Sequence, residues 1–263
     1  MAPPSVRTKK RLGQHFLTDM AIAERIAHSL TAAKSRSVLE VGPGTGALTH
    51  FLLRREDITL YAVEVDAEAT SYLRQRFPEL APRLVHGSFL QVDLPQLMRG
   101  RFCLIGNFPY NISSQIFFKV LEHKDSVPEV VCMLQKEVAA RLAGSPGSKA
   151  YGILSVLLQA YYDIEYLFTV DEHVFAPPPR VKSAVVRLTR NSVPALCCNE
   201  ALFRQVVKTT FNQRRKTLRN SLKPLLGDAT LSHPLLAMRP EQLSVAEFVE
   251  LANAVEKARS GGG

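Results

Sequence analysis

The chain has 263 residues, of which 46% are apolar, which is enough for one large domain and a small second one without cross-links. It has no run of 18 apolar residues and no apolar segment after its basic N-terminus, which argues against a membrane protein or an exported one. The net charge of +9 lies in segments 1–17 and 203–223, which carry four and seven cations without an acid and leave −2 for the rest, as in a polyanion-binding surface.

Short apolar runs alternate with helical patterns from Ser37 to about Leu188. This alternation predicts an α/β fold, a doubly wound and mostly parallel seven-stranded sheet flanked by helices. The predicted strands are Ser37–Val41, Thr59–Glu64, Arg83–His86, Arg101–Gly106, Val130–Leu134, Ile164–Val170 and Ser183–Leu188. The predicted helices are Ala47–Arg55, Ala67–Phe77, Ser113–Glu122, Lys136–Ala143 and Tyr151–Tyr161. The last two strands have only a proline-rich turn between them, which favours a terminal antiparallel hairpin.

After Asn191 the pattern becomes purely helical. Apolar residues from Phe203 to Leu226 follow an i, i+3, i+4 spacing, which predicts one helix with a buried face and a basic face, ended by Pro224 and Gly227. A weaker pattern at Leu243–Val255 predicts one more helix. We therefore expect an α/β domain at 1–192, a helical domain at 193–259 and a disordered tail at 260–263.

A glycine-rich turn follows the first predicted strand, in the order Val38-Leu-Glu-Val-Gly42-Pro-Gly44-Thr-Gly46-Ala47. Glycine permits positive φ and lets the backbone approach a ligand at the start of a helix. The spacing also fits a dinucleotide fingerprint, with the acid Glu64 about 20 residues further on. At this point a hydride-transfer enzyme and a tight turn without a ligand both stay open.

Two strand ends offer side chains to a bound nucleoside. Glu64 ends its strand, where a carboxylate can accept both ribose hydroxyls, and Asp66 is predicted to cap the next helix. Ser88 follows the next strand, where a doubly wound sheet presents a residue to the adenine ring of a cofactor.

The segment Gly106-Asn-Phe-Pro-Tyr-Asn-Ile-Ser113 is the most specific chemical signal in the chain. Asparagine followed by proline and an aromatic residue is typical of methyltransferases that act on the amino group of an extruded base. The Asn107 side-chain oxygen and the Pro109 carbonyl can accept the two N–H bonds of adenine, while Tyr110 stacks on the base. A hydride-transfer enzyme has no use for this tetrad, although an ordinary Asn-Pro turn would also contain it.

With five further segments, this one resembles the small-subunit ribosomal RNA adenine dimethyltransferases, the KsgA family, over nearly the whole chain. Those segments are Lys10-Arg-Leu-Gly-Gln-His-Phe-Leu17, the glycine turn at Gly42, Glu64 in Val-Glu-Val-Asp, Met133-Leu-Gln-Lys-Glu-Val-Ala139 and Phe175-Ala-Pro-Pro-Pro-Arg-Val-Lys-Ser-Ala-Val185. The resemblance implies a Rossmann-like domain that binds S-adenosyl-L-methionine (AdoMet) and yields S-adenosylhomocysteine (AdoHcy). It also implies dimethylation of two adjacent adenosines in a hairpin loop near the 3′ end of small-subunit rRNA, in ribosome biogenesis.

The resemblance assigns roles to single residues. It implies cofactor contacts from His15, Leu17, Gly42, Gly44, Glu64, Ser88 and Asn107. It implies catalysis by Asn107, Pro109, Tyr110 and Phe175, with Phe175 facing Tyr110 across the target adenine. The chain departs from the family pattern at His15, Ser88, Phe108 and Lys182, where the family usually has Asn, Asp, Leu and Asp. Ser88 matters most, because a hydroxyl lacks the charge of a carboxylate.

The two basic segments predict the RNA-binding surface. Its expected members are Lys9, Lys10, Arg11, Arg214, Arg215, Lys216 and Arg219, and a solvated basic helix without a partner is the plain alternative. The expected partner is small-subunit rRNA or its precursor particle, met by a monomer in the cytoplasm and away from membranes. The four cysteines lack C-x-x-C spacing, which predicts reduced thiols and no metal site.

Two rival functions come from neighbouring classes. One is the family that methylates large-subunit rRNA and confers antibiotic resistance, which shares the Asn-x-Pro-Tyr motif. The other is a catalytically weak RNA-binding assembly factor. The Leu-Gly-Gln-His-Phe-Leu and Pro-Pro-Pro-Arg-Val-Lys-Ser-Ala-Val segments favour the small-subunit enzymes, and the intact Asn107, Pro109 and Tyr110 argue against lost chemistry.

Overall fold

The computed structural model describes residues 6–260, except for the side chain of Lys10. The chain forms two compact units. The first takes in the described part of Met1–Ala139 together with Asp163–Arg190, and the second takes in Ala140–Tyr162 and the described part of Asn191–Gly263.

The strands and helices are numbered in chain order. The strands are β1 (Phe16–Leu17), β2 (Ser37–Val41), β3 (Thr59–Glu64), β4 (Leu84–His86), β5 (Cys103–Asn107), β6 (Glu129–Gln135), β7 (Tyr162–Val170), β8 (Phe175–Ala176) and β9 (Ser183–Arg190). The helices are α1 (Met20–Ser29), α2 (Ala47–Leu52), α3 (Ala67–Arg76), α4 (Leu94–Met98), α5 (Ser113–Glu122), α6 (Lys136–Leu142), α7 (Ile153–Gln159), α8 (Glu200–Asn212), α9 (Leu218–Ser221), α10 (Lys223–Leu226) and α11 (Val245–Ser260).

A seven-stranded sheet organises the first unit, in the order β4-β3-β2-β5-β6-β9-β7. The pairs from β4 to β6 are parallel, and β9 runs antiparallel to β6. The predicted fold class is confirmed, and β7 and β9 are neighbours as the predicted hairpin requires. Because parallel strands end at the same edge of a sheet, β2, β3 and β5 bring Gly42, Glu64 and Asn107 to one edge.

Helix α1 and the β1–β8 ribbon escaped the sequence prediction. Asp19 caps α1 by accepting a hydrogen bond from the Ile22 amide, so Asp19 before an apolar helical pattern was the available signal. Phe16 pairs with Ala176 and Leu17 with Phe175 in a two-residue ribbon. Such a ribbon has no sequence period to detect, because it joins segments far apart in the chain.

The second unit departs from the predicted domain boundary. Residues 140–162, which we assigned to the α/β domain, group with the C-terminal helices because α7 packs against α8 and α11. Phe211 stacks on Phe248 and meets the Tyr151 ring edge-on, with centroids 5.9 and 6.2 Å apart. Tyr151, which precedes β7 in the chain, therefore shares one core with Phe211 and Phe248, which follow β9.

The prediction of one helix from Phe203 to Leu226 is wrong. Helix α8 ends at Asn212, and residues 213–216 form turns before α9. The Leu218 amide, at the start of α9, donates to the carbonyl of Met238 and not to the preceding turn, so α9 begins on a tertiary contact and does not continue α8. Pro224 lies in the first turn of α10, where its missing N–H costs nothing. Ser260, predicted to start the tail, is the last residue of α11, and residues 261–263 lie outside the described part.

Candidate active site

The glycine turn between β2 and α2 forms one wall of a cleft. Gly44 and Gly46 have φ of 60° and 83°, a left-handed backbone that other residues adopt at a cost. A Cβ on Gly44 would lie 2.9 Å from the Phe16 ring, and one on Gly46 would lie 2.4 Å from Phe77. Both glycines are therefore needed for the shape of the turn, while Gly42 faces open space.

The Glu64 carboxylate closes the end of β3 and lines the same cleft. It accepts hydrogen bonds from the amides of Gly44 (2.9 Å) and Asp66 (2.8 Å). Burial raises its pKa, and the two amide donors oppose that rise. The fixed carboxylate keeps lone pairs for the hydroxyls of a ribose. Asp66 caps α3 through the Glu68 amide, as predicted.

A second buried acid, Glu40 on β2, was missed by the sequence analysis. It is 1% exposed, lines the cleft and accepts a hydrogen bond from Thr49 Oγ1 at 2.7 Å. Burial, with Glu64 nearby, raises the pKa of Glu40 to about 8. A single polar residue in an otherwise apolar strand was the only sequence signal for Glu40. The cleft thus holds a carboxyl that keeps its proton near neutral pH.

The C-terminal end of β5 places the predicted catalytic asparagine. Gly106 allows this, since a Cβ there would lie 2.5 Å from the Val41 carbonyl oxygen. The Asn107 Nδ2 donates to the His15 carbonyl at 2.9 Å, which fixes the orientation of the amide. Among the described residues no donor reaches its Oδ1. The oxygen of an oriented amide is therefore available at the cleft.

Tyr110 stands where two clefts meet. It lines the glycine-turn cleft and a second cleft bounded by Gln135 and 177–181. Its hydroxyl shares a 2.5 Å hydrogen bond with Ser183 Oγ, and its ring stacks on His15 with centroids 5.5 Å apart. Burial raises the pKa of the phenol. The ring is therefore held at its hydroxyl and on one face, and the phenol stays neutral at physiological pH.

Pro109 and Phe108 complete the tetrad in different ways. Pro109 lines the cleft, and its carbonyl accepts a turn hydrogen bond from the Ile112 amide at 3.2 Å. A carbonyl oxygen has a second lone pair, so it can still accept from a ligand. Phe108 is fully buried and packs edge-on against Phe117, which anchors the segment to α5.

His15 and Leu17 lie in the cleft wall with Gly42, Gly44, Glu64 and Asn107, so six of the seven predicted cofactor residues come together. His15 Nδ1 also donates to the Pro177 carbonyl at 2.8 Å. Ser88 is half-buried at the end of β4 and does not line either cleft. Phe175 is 3% exposed, packs in the core and is not among the residues that line either cleft.

The predicted RNA-binding cations divide into engaged and free ones. Lys9 forms ion pairs with Asp66 and, at 3.3 Å, with Glu68, so it braces the cleft. Arg214 donates to the Lys149 carbonyl at 2.9 Å and lies 3.8 Å from Glu241. Within the described part of the chain, four of the predicted RNA-binding cations are exposed and their side chains have no ion-pair or hydrogen-bond partner, namely Arg11, Arg215, Lys216 and Arg219. The side chain of Lys10 lies outside the described residues.

Within residues 6–260, no helix is long and apolar enough to cross a membrane. The same residues contain no group of three or more His, Cys, Asp or Glu side chains that could hold a metal ion. All four cysteines are free thiols.

Comparison with known proteins identifies the family. The family profile described as ribosomal RNA adenine dimethylase matches residues 5–257. The chain belongs to this family. A ribosomal RNA small subunit methyltransferase A from Parabacteroides distasonis is 60% identical over 96% of this chain and 95% of its own length. One from Porphyromonas gingivalis is 55% identical, over 94% and 96%.

Solved structures give the same fold for this rRNA adenine dimethylase family member. A dimethyladenosine transferase from Plasmodium falciparum superposes with a TM-score of 0.76 at 23% identity, over 93% of this chain and 98% of that one. The 23S rRNA methyltransferase ErmE superposes with a TM-score of 0.67 at 26% identity, over 90% and 99%. The family membership rules out the hydride-transfer reading of the glycine turn.

Proposed function

We propose that this chain dimethylates the exocyclic amines of two adjacent adenosines in a hairpin loop near the 3′ end of small-subunit rRNA, with AdoMet as donor. The chain is an rRNA adenine dimethyltransferase by family and by its relatives. The observation that carries the chemical part is the Asn107 amide, which lines the cleft and is held by its nitrogen, while no donor among the described residues reaches its oxygen. Its methyltransferase relatives act on the small subunit, which disfavours the antibiotic-resistance alternative.

The residues of the first cleft fit AdoMet. Glu64 supplies a carboxylate for the ribose hydroxyls, and the turn at Gly42 and Gly44 lets the backbone approach the methionine part. The Glu64 carboxylate, which lines the cleft, suits a cationic ligand better than a neutral one. AdoMet, when bound, supplies a methyl group on a sulfonium, which is already an activated leaving group.

The acceptors at Asn107 and Pro109 handle the adenine amine. Its lone pair is delocalised into the ring, and acceptors on both N–H bonds favour a pyramidal nitrogen that can attack. Tyr110 offers a neutral aromatic face for stacking, fixed by Ser183 and His15. The contribution of these residues is positioning, since no general base is required before the methyl group moves.

The target base fits the second cleft, which shares Tyr110 and His15 with the first. An extruded adenine would enter past 177–181 and stack on Tyr110. We leave Phe175 out of the proposed site because it is buried in the core.

The RNA backbone is a ligand for exposed cations outside the clefts. We propose that the second unit binds rRNA through Arg215, Lys216 and Arg219, joined in the first unit by Arg11, while the first unit carries catalysis. The proposed partner is the small subunit or its precursor particle. We infer a cytoplasmic monomer, supported by the free thiols and by a substrate made in the cytoplasm.

The test is Asn107→Ala with methyl-labelled AdoMet and small subunits that lack the modification, followed by digestion and mass spectrometry. We expect dimethyladenosine in the parent and a loss of about 10²-fold or more in turnover in the variant. Asn253→Ala, an exposed asparagine of α11, is the matched control. Turnover of Asn107→Ala within a few-fold of the parent would contradict its role, and preferred labelling of large-subunit RNA would contradict the substrate.

A further inference from the structure

Lys119 is half-buried against the segment that follows β4, and it lies on α5, outside the residues that line the clefts. Its ammonium donates to three carbonyls of that segment, those of Phe89 (2.8 Å), Leu90 (3.1 Å) and Val92 (2.6 Å). An ammonium has three N–H donors, so all of them are used. Within the described part of the chain, Lys119 has no carboxylate partner. Burial lowers its pKa.

The segment 87–92 folds back on itself and is held by Lys119. Its amides at Gln91 and Val92 donate back to the Ser88 carbonyl, which forms a tight turn that begins at Ser88. The carbonyls of Phe89, Leu90 and Val92 converge on Lys119, and the Phe89 ring centroid lies 5.4 Å from the ammonium. A turn whose carbonyls converge needs a cation or water to satisfy them. Its conformation therefore depends on a side chain from another element.

The ends of the segment lead to the two halves of the site. The Gly87 amide donates to the Glu64 carbonyl at 2.8 Å, which ties the segment to the proposed ribose acid. Lys119 belongs to α5, the helix that follows the tetrad from Asn107 to Tyr110. One ammonium thus fixes the segment of Ser88 relative to the catalytic segment.

We propose that Lys119 is a positioning residue for the cofactor: its bonds to the carbonyls of 89–92 set where the turn at Ser88 meets the purine of AdoMet. This inference rests on the proposed function, which places the ribose at Glu64, and it adds that the purine extends from there to the turn at Ser88, which the Gly87 amide ties to the Glu64 carbonyl. Because Ser88 has no charge with which to attract the purine amine, recognition depends on the geometry of the turn. Lys119 supplies that geometry without touching the ligand.

A lysine with only a structural role would also stabilise the turn. The test therefore needs a measurement that does not depend on the stability of the fold. AdoHcy and S-inosylhomocysteine share the ribose and the amino acid and differ only where the purine carries its amine or an oxygen. Their ratio of Kd, measured by calorimetry without RNA, reports recognition of the purine edge. Partial unfolding weakens both ligands equally and leaves the ratio unchanged.

Lys119→Met keeps the aliphatic stem and removes the three donors. We expect AdoHcy to bind about tenfold more weakly, on the scale of one net hydrogen bond to a charged group, and the preference over S-inosylhomocysteine to fall by about the same factor. Lys119→Gln, which keeps two donors, should lose less of the preference. Lys34→Met removes an exposed lysine that donates to a single carbonyl, and should leave the ratio at the parent value.

A parent ratio retained in both Lys119 variants overturns the positioning role, whatever happens to the melting temperature. If Lys119→Met does not fold, Lys119→Gln decides, and an unchanged ratio there has the same meaning. Failure of the parent itself to bind AdoHcy would instead overturn the proposed function, and this proposal with it.

Discussion

The buried carboxyl of Glu40 predicts a dependence of stability on pH that one substitution removes. Burial raises its pKa from 4.5 to about 8, so the folded protein holds a proton that the unfolded chain releases above pH 4.5. A group that binds more protons when folded contributes a stability that falls as pH rises. The fall starts near the unfolded pKa and is complete once the pH passes the folded one.

Each pH unit in this window lowers the free energy of unfolding by about 1.4 kcal/mol, so the parent loses about 4 kcal/mol between about pH 5 and pH 8 from this group. In Glu40→Gln the side chain does not titrate, and its oxygen can still accept the bond from Thr49. We therefore expect the stability of the variant, relative to the parent, to rise by about 4 kcal/mol across that range.

Urea unfolding of both proteins at several pH values, at constant ionic strength, measures this difference. Glu64 is present in both chains, so its own titration largely cancels. A difference between variant and parent that is equal at the two ends of the range would refute the assignment of the proton to Glu40. A larger advantage at low pH would reverse the sign and refute the burial argument itself.

Three further predictions concern other parts of the chain. Ser88→Asp should tighten AdoHcy binding by about 1 kcal/mol, because a carboxylate accepts a charge-assisted bond from the purine amine; calorimetry showing weaker binding would place Ser88 away from the purine. Arg215→Gln with Lys216→Gln should weaken RNA binding and flatten its dependence on salt by about one to two units of slope. The same double change at Lys257 and Arg259 of α11 is the control, and equal slopes in all proteins would speak against an RNA contact. Tyr151→Phe should stabilise the fold by up to about 1 kcal/mol in thermal unfolding, since the buried Tyr151 hydroxyl has no partner among the described residues, and a lower melting temperature would contradict this.

The parts of the site that the sequence predicted well are local. The glycine turn, Glu64 and the tetrad from Asn107 to Tyr110 each follow a strong apolar strand, so the parallel sheet alone brings them to one edge. The family resemblance added His15 and Leu17, which reach the cleft through the β1–β8 ribbon.

The parts that sequence reasoning missed depend on tertiary contacts. Lys9 is a cation in a basic segment, as expected of a residue that binds RNA, but it forms an ion pair with Asp66. Phe175 has a suitable aromatic ring, but the pairing of β8 with β1 turns it into the core. The helical pattern from Phe203 onward continues through the basic residues, yet α8 ends at Asn212 and the Leu218 amide that starts α9 bonds to the distant Met238 carbonyl. In each case a long-range contact acts on a residue that the local sequence pattern could describe only by its type and spacing.

Residues 15–17 of the N-terminal segment contribute to the candidate active site but not to the seven-stranded sheet. His15 bonds to Pro177 and holds the Asn107 amide, while Phe16 and Leu17 pair with β8, yet residues 15–17 lie outside the seven-stranded sheet. A protease that cut after Leu17 would leave every strand of that sheet in the remaining chain. The truncated protein would lose the wall of both clefts and the orientation of its catalytic amide. We therefore expect cleavage after Leu17 to abolish methyl transfer while the sheet is kept.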